Sequence, residues 1–282
     1  MKIYFLGVRG SVPVSGSSKQ TYGGATSCIY LELSDRVGFI IDAGTGIMNL
    51  KDLVDTNVFL LLTHQHWDHI QGFPHFSGIY DKDKKIRIYS KGYRDTWPIL
   101  SQMDGIAWPI HYQSLASEIT THDLSDFQED FVSTHQCHGL VVKSVKLNHP
   151  GGAYGFKISY QGNTAAFIFD HEIDHTQLNE KKDEWLDLLD DCDIVVHDLQ
   201  YQRKRDHACV GWGHPFIDDM CQFFSGYQGS ELVVFGHHPI ADDAELDFNQ
   251  AQLQQSVHPD CHVSVAKDKT YYDVNRKIWG DV

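Results

Sequence analysis

An uninterrupted apolar run, Val58-Phe59-Leu60-Leu61-Leu62, leads straight into Thr63-His64-Gln65-His66-Trp67-Asp68-His69. A run of that length and composition reads as a buried strand. It therefore fixes the backbone on which the polar cluster stands. His64 and His66 are two residues apart and point the same way on extended backbone. Asp68 and His69 follow in a turn into a helix, with Trp67 and Ile70 expected to anchor that turn in the core. Imidazole and carboxylate are donors that suit Zn²⁺, Fe²⁺ or Mn²⁺. Four such donors in one loop exceed what a single tetrahedral metal with an open position takes from one segment, which points to two metals.

Composition narrows the setting. The 282 residues are 41% hydrophobic and 22% charged, as expected of a globular chain with a sizeable core. The formal net charge of −15 opposes an extended nucleic-acid-binding face, because such a surface repels polyanions. A small anionic ligand is still compatible, since bound divalent cations would dominate the local field. The six cysteines contain no CxxC pair and need no disulfide framework, so they read as reduced, mostly buried thiols. The opening Met-Lys-Ile-Tyr-Phe-Leu-Gly reads as a first strand and not as a signal peptide, and no run approaches a membrane span. Both point to the cytoplasm.

Strands with tight turns fill the first third: 2–6, 27–33, 37–41 and 58–62, with a turn at Ser34-Asp35, a Gly- and Ser-rich loop over 7–24, and a short helix over 47–53. The centre reads as a strand at 86–89, a helix over 93–103, a polar stretch at 117–129 without a clear pattern, and strands at 139–147, 154–160 and 164–169. The final third alternates helices at 180–190, 214–224 and 242–257 with strands at 194–197, 232–235 and 271–274. No low-complexity linker or short repeat interrupts the chain. A single α+β domain over 1–282, sandwich-like with outer helices, is the expectation.

Three more candidates follow strand ends. His149 lies between a strand and Pro150-Gly151-Gly152, a loop that lets backbone approach a site closely. Asp170 ends the apolar run 165–169, where an unpaired carboxylate would be costly to bury. His237 and His238 follow the strand 232–235.

The segment at 63–69 resembles the HxHxDH signature of the metallo-β-lactamase fold superfamily, and the likeness extends over almost the whole chain. The resemblance implies a four-layer αββα sandwich. It implies His64, His66 and His149 as ligands of one metal, Asp68, His69 and one histidine of the His237-His238 pair as ligands of a second, and Asp170 as the bridging carboxylate. His237 is the favoured member of that pair. The metals implied are two divalent ions, Zn²⁺ first, with Mn²⁺ or Fe²⁺ as alternatives. Asp42, in Asp42-Ala43-Gly44-Thr45-Gly46, resembles a support beneath the cluster that fixes a ligand histidine.

Two further segments are more selective. His197-Asp198-Leu199-Gln200-Tyr201 and Gly211-Trp212-Gly213-His214-Pro215 resemble paired motifs of the tRNA 3′-processing endonucleases, with Asp198 in place of Glu and Pro215 in place of Ser. The resemblance implies that Asp198 orients His214 and that His214 acts beside the scissile phosphate. No basic, glycine-rich tRNA-gripping arm is apparent. Thr21-Tyr22-Gly23-Gly24-Ala25-Thr26-Ser27-Cys28 and the segments 67–74 and 147–152 are similar to small bacterial hydrolases of this fold and to cyclic-nucleotide-type phosphodiesterases. The expectation is therefore hydrolysis of a small phosphodiester, with Asp68, Asp198 and His214 catalytic. Hydrolysis of a lactone, ester or thioester by the same centre is the alternative. Tyr22 and Trp212 are candidates for stacking on a base, His75, His111, His135 and His138 are placed in loops, and a homodimer is the common assembly for such an enzyme.

Overall fold

The computed structural model describes residues 1–50, 55–92, 97–175 and 182–282. Its strands are Lys2–Gly7 (β1), Cys28–Ser34 (β2), Val37–Ile41 (β3), Asn57–Leu61 (β4), Lys85–Ser90 (β5), Glu118–Asp123 (β6), Val141–Leu147 (β7), Ala153–Tyr160 (β8), Asn163–Ile168 (β9), Ile194–Asp198 (β10), Glu231–Phe235 (β11), His262–Val265 (β12), Thr270–Asp273 (β13) and Ile278–Asp281 (β14). Its α-helices are Trp67–Ile70 (α1), Pro98–Ser101 (α2), Phe127–His135 (α3), Lys182–Leu189 (α4), Arg203–Asp206 (α5), Ile217–Phe223 (α6) and Asp243–Gln254 (α7). The chain divides into two compact units. One holds 1–13, 25–140 and 267–282, and the other holds 14–24 and 141–266.

Among the described residues, the first unit has a sheet in the order β14-β13-β1-β2-β3-β4-β5-β6. The β1, β2, β3 side pairs antiparallel, whereas β3, β4, β5 and β6 run parallel. The apolar run of β4 is buried on both faces, as parallel strands require. Val58 and Leu60 join Tyr4, Leu6, Ile40, Ile86 and Ile88 in one core with Ile47, Phe73 and Met103. On the other face Phe59 packs against Phe131 of α3 at 5.0 Å, and Phe39 against Phe127 at 4.9 Å.

The second unit has the sheet order β12-β11-β10-β9-β8-β7, with β9 to β12 parallel and β7, β8 and β9 antiparallel. Ala166, Ile168, Val195, Leu232, Val234 and Val263 meet Trp185 and Leu188 of α4, Met220 of α6, and Leu246 and Leu253 of α7. Asp242 caps α7, its carboxylate accepting from the Glu245 amide at 2.9 Å. In both units the polar clusters stand at the carboxyl ends of parallel strands, where α/β sheets form their binding crevices.

Several expectations need correction. The stretch 117–129 forms the edge strand β6 and the start of α3. His135 is therefore the last helical residue and not a loop residue, and its ring packs on Phe131 at 4.7 Å. The helix expected from His214 begins at Ile217, because Tyr201 and Phe216 pair first: the Tyr201 amide donates to Pro215 O and the Ile217 amide to Tyr201 O. Pro215 thus precedes the bridge residue Phe216 instead of opening a helical turn. The strands β12 and β14 were not expected. Within the helix expected over 47–53, Thr45–Asn49 forms a 3₁₀ turn and 51–53 lie outside the described residues; so do 93–96 and 180–181 of the next two. No described helix is long and apolar enough to cross a membrane. All six cysteines are free thiols, four of them buried, as the composition suggested.

Candidate functional site

In the first unit the site grows from the ends of β3 and β4. Asp42, one residue beyond β3, has a positive φ of 61° and is fully buried. That left-handed turn, tolerated by aspartate, aims its carboxylate at the end of β4. Oδ1 accepts from the Thr63 amide at 2.9 Å, and Oδ2 lies 2.9 Å from Thr63 Oγ1, 2.7 Å from His69 Nδ1 and 3.2 Å from Ser27 Oγ. Thr63 Oγ1 in turn lies 3.1 Å from His64 Nδ1. With the threonine hydroxyl donating to Asp42, its oxygen accepts from His64. One carboxylate thus orients His69 directly and His64 through Thr63, as expected for the support role given to Asp42.

The rings of His64 and His66 are 4.5 Å apart, and those of His64 and His69 are 4.2 Å apart. Asp68 Oδ2 accepts from the Ser11 amide at 2.7 Å and lies 3.4 Å from His69 Nε2. Burial pushes the Asp68 carboxyl up, but the neighbouring His69 and the Ser11 amide outweigh it and hold the group well below the usual carboxylate range. Trp67 does not anchor the turn: it is 58% exposed, and Ile70 alone carries that packing at 1%. The indole lies on the outer side of the four-residue helix α1.

In the second unit the parallel register aligns three strand ends. His197 of β10 pairs with Ile168 of β9, and Asp198 pairs with Phe235 of β11. Asp198 therefore ends β10, and Asp170 and His237 follow the neighbouring β9 and β11, at the same edge. Asp170 takes a φ of 55°. Its Oδ2 lies 3.5 Å from His149 Nε2 and 3.9 Å from His214 Nε2. Oxygens of Asp170 and Asp198 and a nitrogen of His214 fall within 4.8 Å of one another. Asp198 Oδ2 lies 2.9 Å from His214 Nδ1, while Oδ1 accepts from the His171 amide at 3.3 Å. Burial raises the Asp198 carboxyl, yet the hydrogen bonds from His197 and His214 prevail and keep it ionised at low pH.

Histidine tautomers follow from these partners. His149 Nδ1 donates to the Gly213 carbonyl at 2.9 Å, so Nε2 is the lone-pair nitrogen toward Asp170. His237 is fully buried, and its Nε2 donates to the Ala266 carbonyl at 2.9 Å, which makes Nδ1 its lone-pair nitrogen. His238 is half-buried, its Nδ1 accepts from the Ile240 amide at 3.1 Å, and its ring packs edge-on to Tyr201. Burial lowers the His238 pKa to about 4, with the Arg205 cation adding to the effect.

These contacts fit divalent cations. His149 turns a lone-pair nitrogen toward Asp170 Oδ2 at 3.5 Å in buried surroundings, and His69 Nε2 lies 3.4 Å from Asp68 Oδ2. Two acceptors so placed repel each other unless a positive charge joins them, and metal-ligating histidines carry this kind of outer hydrogen bond on the second nitrogen.

Three participants had no sequence signal of their own: Gln200, whose amide lies 3.0 Å from His214 Nδ1; Ser11; and Glu172, described below. Tyr22 is corrected as a stacking candidate. It is buried at 4%, with its hydroxyl bonded to Asp247 and its ring against His237, whereas Trp212 is 61% exposed. The second half of the 7–24 loop is tied down by Lys19 Nζ on the carbonyls of Ile240 and Ala241 and by the Thr21 amide on Asp243.

Comparison with known proteins places this geometry. A family model described as a β-lactamase superfamily domain matches residues 39–238. Among solved structures, the metallo-β-lactamase fold protein YhfI from Bacillus subtilis aligns at 14% identity and a TM-score of 0.63, over 96% of this chain and 98% of that one. The short form of human tRNase Z aligns at 16% identity and 0.62, over 97% and 99%. A diphosphatase from the PhnP family aligns at 14% identity and 0.60, over 96% and 97%. No curated protein matches. The family model takes in His64–His69, His149, Asp170, Asp198, His214 and the His237-His238 pair. The chain belongs to the β-lactamase superfamily, and its two mixed sheets flanked by helices are the architecture of the four-layer metallo-β-lactamase fold.

Proposed function

We propose that this chain is a metal-dependent phosphodiesterase for a small, nucleotide-type substrate, acting in the cytoplasm as one domain over 1–282 without a tRNA-binding arm. The proposed ligands of two divalent cations, Zn²⁺ first, are His64, His66, Asp68, His69, His149, Asp170 and His237. The preference for His237 over His238 is supported by the Nε2 bond to Ala266, which sets the tautomer a ligand needs. His238 instead uses Nδ1 to accept a backbone amide.

The observation that carries the phosphodiester reading is the Asp198–His214 pair. Asp198 Oδ2 accepts a hydrogen bond from His214 Nδ1–H at 2.9 Å, and His214 Nε2 looks toward Asp170 Oδ2 at 3.9 Å. A phosphodiester with an alkoxide leaving group needs a proton donor, because alkoxide is a poor leaving group. Bound divalent cations supply Lewis-acid polarisation of the phosphoryl group and acidify water. His214 Nε2 delivers the proton to the departing oxygen, Asp198 holds the ring in the tautomer that allows it, and Asp68 accepts a hydrogen bond from the attacking water. Two of the similar folds, a tRNase Z and a diphosphatase, bear names for hydrolysis at phosphate groups, which agrees with this reading. The net charge of −15 favours a small substrate over a long polyanion.

A turnover screen on metal-loaded protein tests the proposal. It compares bis(p-nitrophenyl) phosphate, cyclic nucleotides, short RNA, a lactone and a cephalosporin. Turnover of phosphodiesters above the other classes is expected. Turnover confined to the lactone would overturn it, as would fewer than one metal ion per chain.

A further inference from the structure

We propose that Glu172 is a positioning residue that locks the loop carrying His149 to the loop carrying His214. The inference rests on the roles proposed above for those two histidines. Glu172 stands two residues after Asp170, half-buried in the wall of a cavity of about 740 Å³ also lined by Asn148, His149, Arg203 and Phe216.

Its main chain grips one loop. The Glu172 amide donates to Asn148 O at 2.9 Å, and Asn148 Nδ2 donates back to Glu172 O at 3.0 Å. Asn148 is the residue before His149. Its side chain grips the other loop. Oε1 accepts from the Gly211 amide at 2.8 Å and Oε2 from the Gly213 amide at 2.9 Å. Both glycines have positive φ, 85° and 87°, which turns both amides toward the one carboxylate. Hydrogen bonds to an ionised acceptor are the stronger kind.

That geometry matters because Gly213 is the residue on which the two histidines meet. Its carbonyl accepts from His149 Nδ1 at 2.9 Å, and His214 follows it in the chain. A Cβ at Gly213 would stand 2.1 Å from His149 Nδ1, so the two loops are in direct contact. Displacing Gly213 would take the acceptor away from His149 Nδ1–H and shift His214 away from Asp198. No ion pair of Glu172 is found among the described residues; both oxygens are engaged by backbone amides. A carboxylate beside a site for an anionic substrate works against binding, so its presence there is explained by the loop geometry it maintains.

The test uses Glu172→Ala and Glu172→Gln in the full-length, metal-loaded protein. Four readouts are taken: exchange of the His149 Nδ1–H, exchange of the Gly211 and Gly213 amides, the melting temperature, and kcat with KM on the best phosphodiester. In Glu172→Ala the His149 Nδ1–H, no longer held by the Gly213 carbonyl, and both glycine amides are expected to exchange faster. kcat should fall about 10–100-fold, the usual cost of removing a ligand's outer partner, with KM nearly unchanged. Glu172→Gln, which can accept at only one of its two atoms, should fall between. Unchanged exchange of the His149 Nδ1–H and of the two glycine amides in Glu172→Ala would overturn the proposal, as would a full kcat with Ala. If the unmodified protein proves inactive on phosphodiesters, the ring and amide readouts still decide on Glu172, and the failure belongs to the functional reading.

Discussion

His214 Nδ1 stands 2.9 Å from Asp198 Oδ2 at the carboxyl end of β10. The carboxylate is fully buried and is also bonded by the His171 amide. Its position therefore leaves His214 little rotational freedom. Asp198→Asn replaces one oxygen by an N–H₂ group, and the amide can then favour the opposite imidazole tautomer. We expect kcat on phosphodiesters to fall by about 10²-fold or more, the scale of general acid–base assistance. Metal content measured by atomic emission should stay near that of the unmodified protein. A kcat within a factor of about two of the original would show that the pair is structural only.

Asp42 is the second support to be tested. It orients His69 directly and His64 through Thr63, with Ser27 as a further donor. Asp42→Ala leaves these donors buried without their acceptor, which costs about 3–5 kcal/mol when a buried charge partner is removed. Metal affinity should weaken by about 10–100-fold. Competition with a chromophoric chelator measures the second effect and urea unfolding the first. Unchanged metal affinity in a folded Asp42→Ala protein would contradict the orienting role.

The turn at α1 should depend on Ile70 and not on Trp67. Ile70 is 1% exposed and Trp67 58%. Ile70→Ala is expected to cost about 2–5 kcal/mol, the range for buried aliphatic truncations. Trp67→Ala should change stability by about 0.5 kcal/mol or less, as at other exposed positions. Chemical denaturation of the two variants separates them, and a larger loss for Trp67→Ala would reverse the assignment.

Buried thiols predict both reactivity and pH dependence. Burial pushes Cys28 well above its ordinary value, Cys192 to about 12 and Cys261 to about 11. A thiol of pKa 11 is ionised about once in a thousand molecules at pH 8. Native protein treated with iodoacetamide at pH 8 should therefore stay unmodified at these three positions by mass spectrometry. The raised folded values also fix the sign of the linkage. The unfolded chain, with thiols near pKa 8.5, loses these protons first, so the contribution to stability is full below about pH 8.5. It is lost as pH rises toward the folded values of about 11 and 12. Urea midpoints should fall between pH 8 and pH 10; rapid alkylation of Cys28 in folded protein would contradict the burial.

Much of the candidate site was legible because its residues directly follow apolar strands. His64–His69 follows β4, Asp170 follows β9, and the His237-His238 pair follows β11. Within each unit, strand ends in a parallel sheet bring such positions to one edge of that sheet, so a local pattern carried tertiary information. Other features depended on partners far along the chain. Glu172 has no pattern of its own; its partners are the amides of Gly211 and Gly213. Tyr22 sits in a glycine-rich segment that reads as surface, yet Asp247 satisfies its hydroxyl and lets the ring be buried. The helix α3 was missed although Phe127 and Phe131 are spaced to share one face, because the polar residues around them mask the period. The start of α6 was misplaced because Phe216 pairs with Tyr201, a long-range bridge that overrides local propensity.

The central claim is that His214 protonates the leaving oxygen of a phosphodiester. Its most direct test is the turnover of metal-loaded His214→Ala on two substrates that differ in leaving group: bis(p-nitrophenyl) phosphate, whose phenolate leaves without help, and a cyclic nucleotide, whose alkoxide does not. With metal content unchanged, we expect turnover of the cyclic nucleotide to fall about 10²–10⁴-fold and that of the aryl ester to fall far less. Equal losses on both substrates, or no loss on either, would contradict the account.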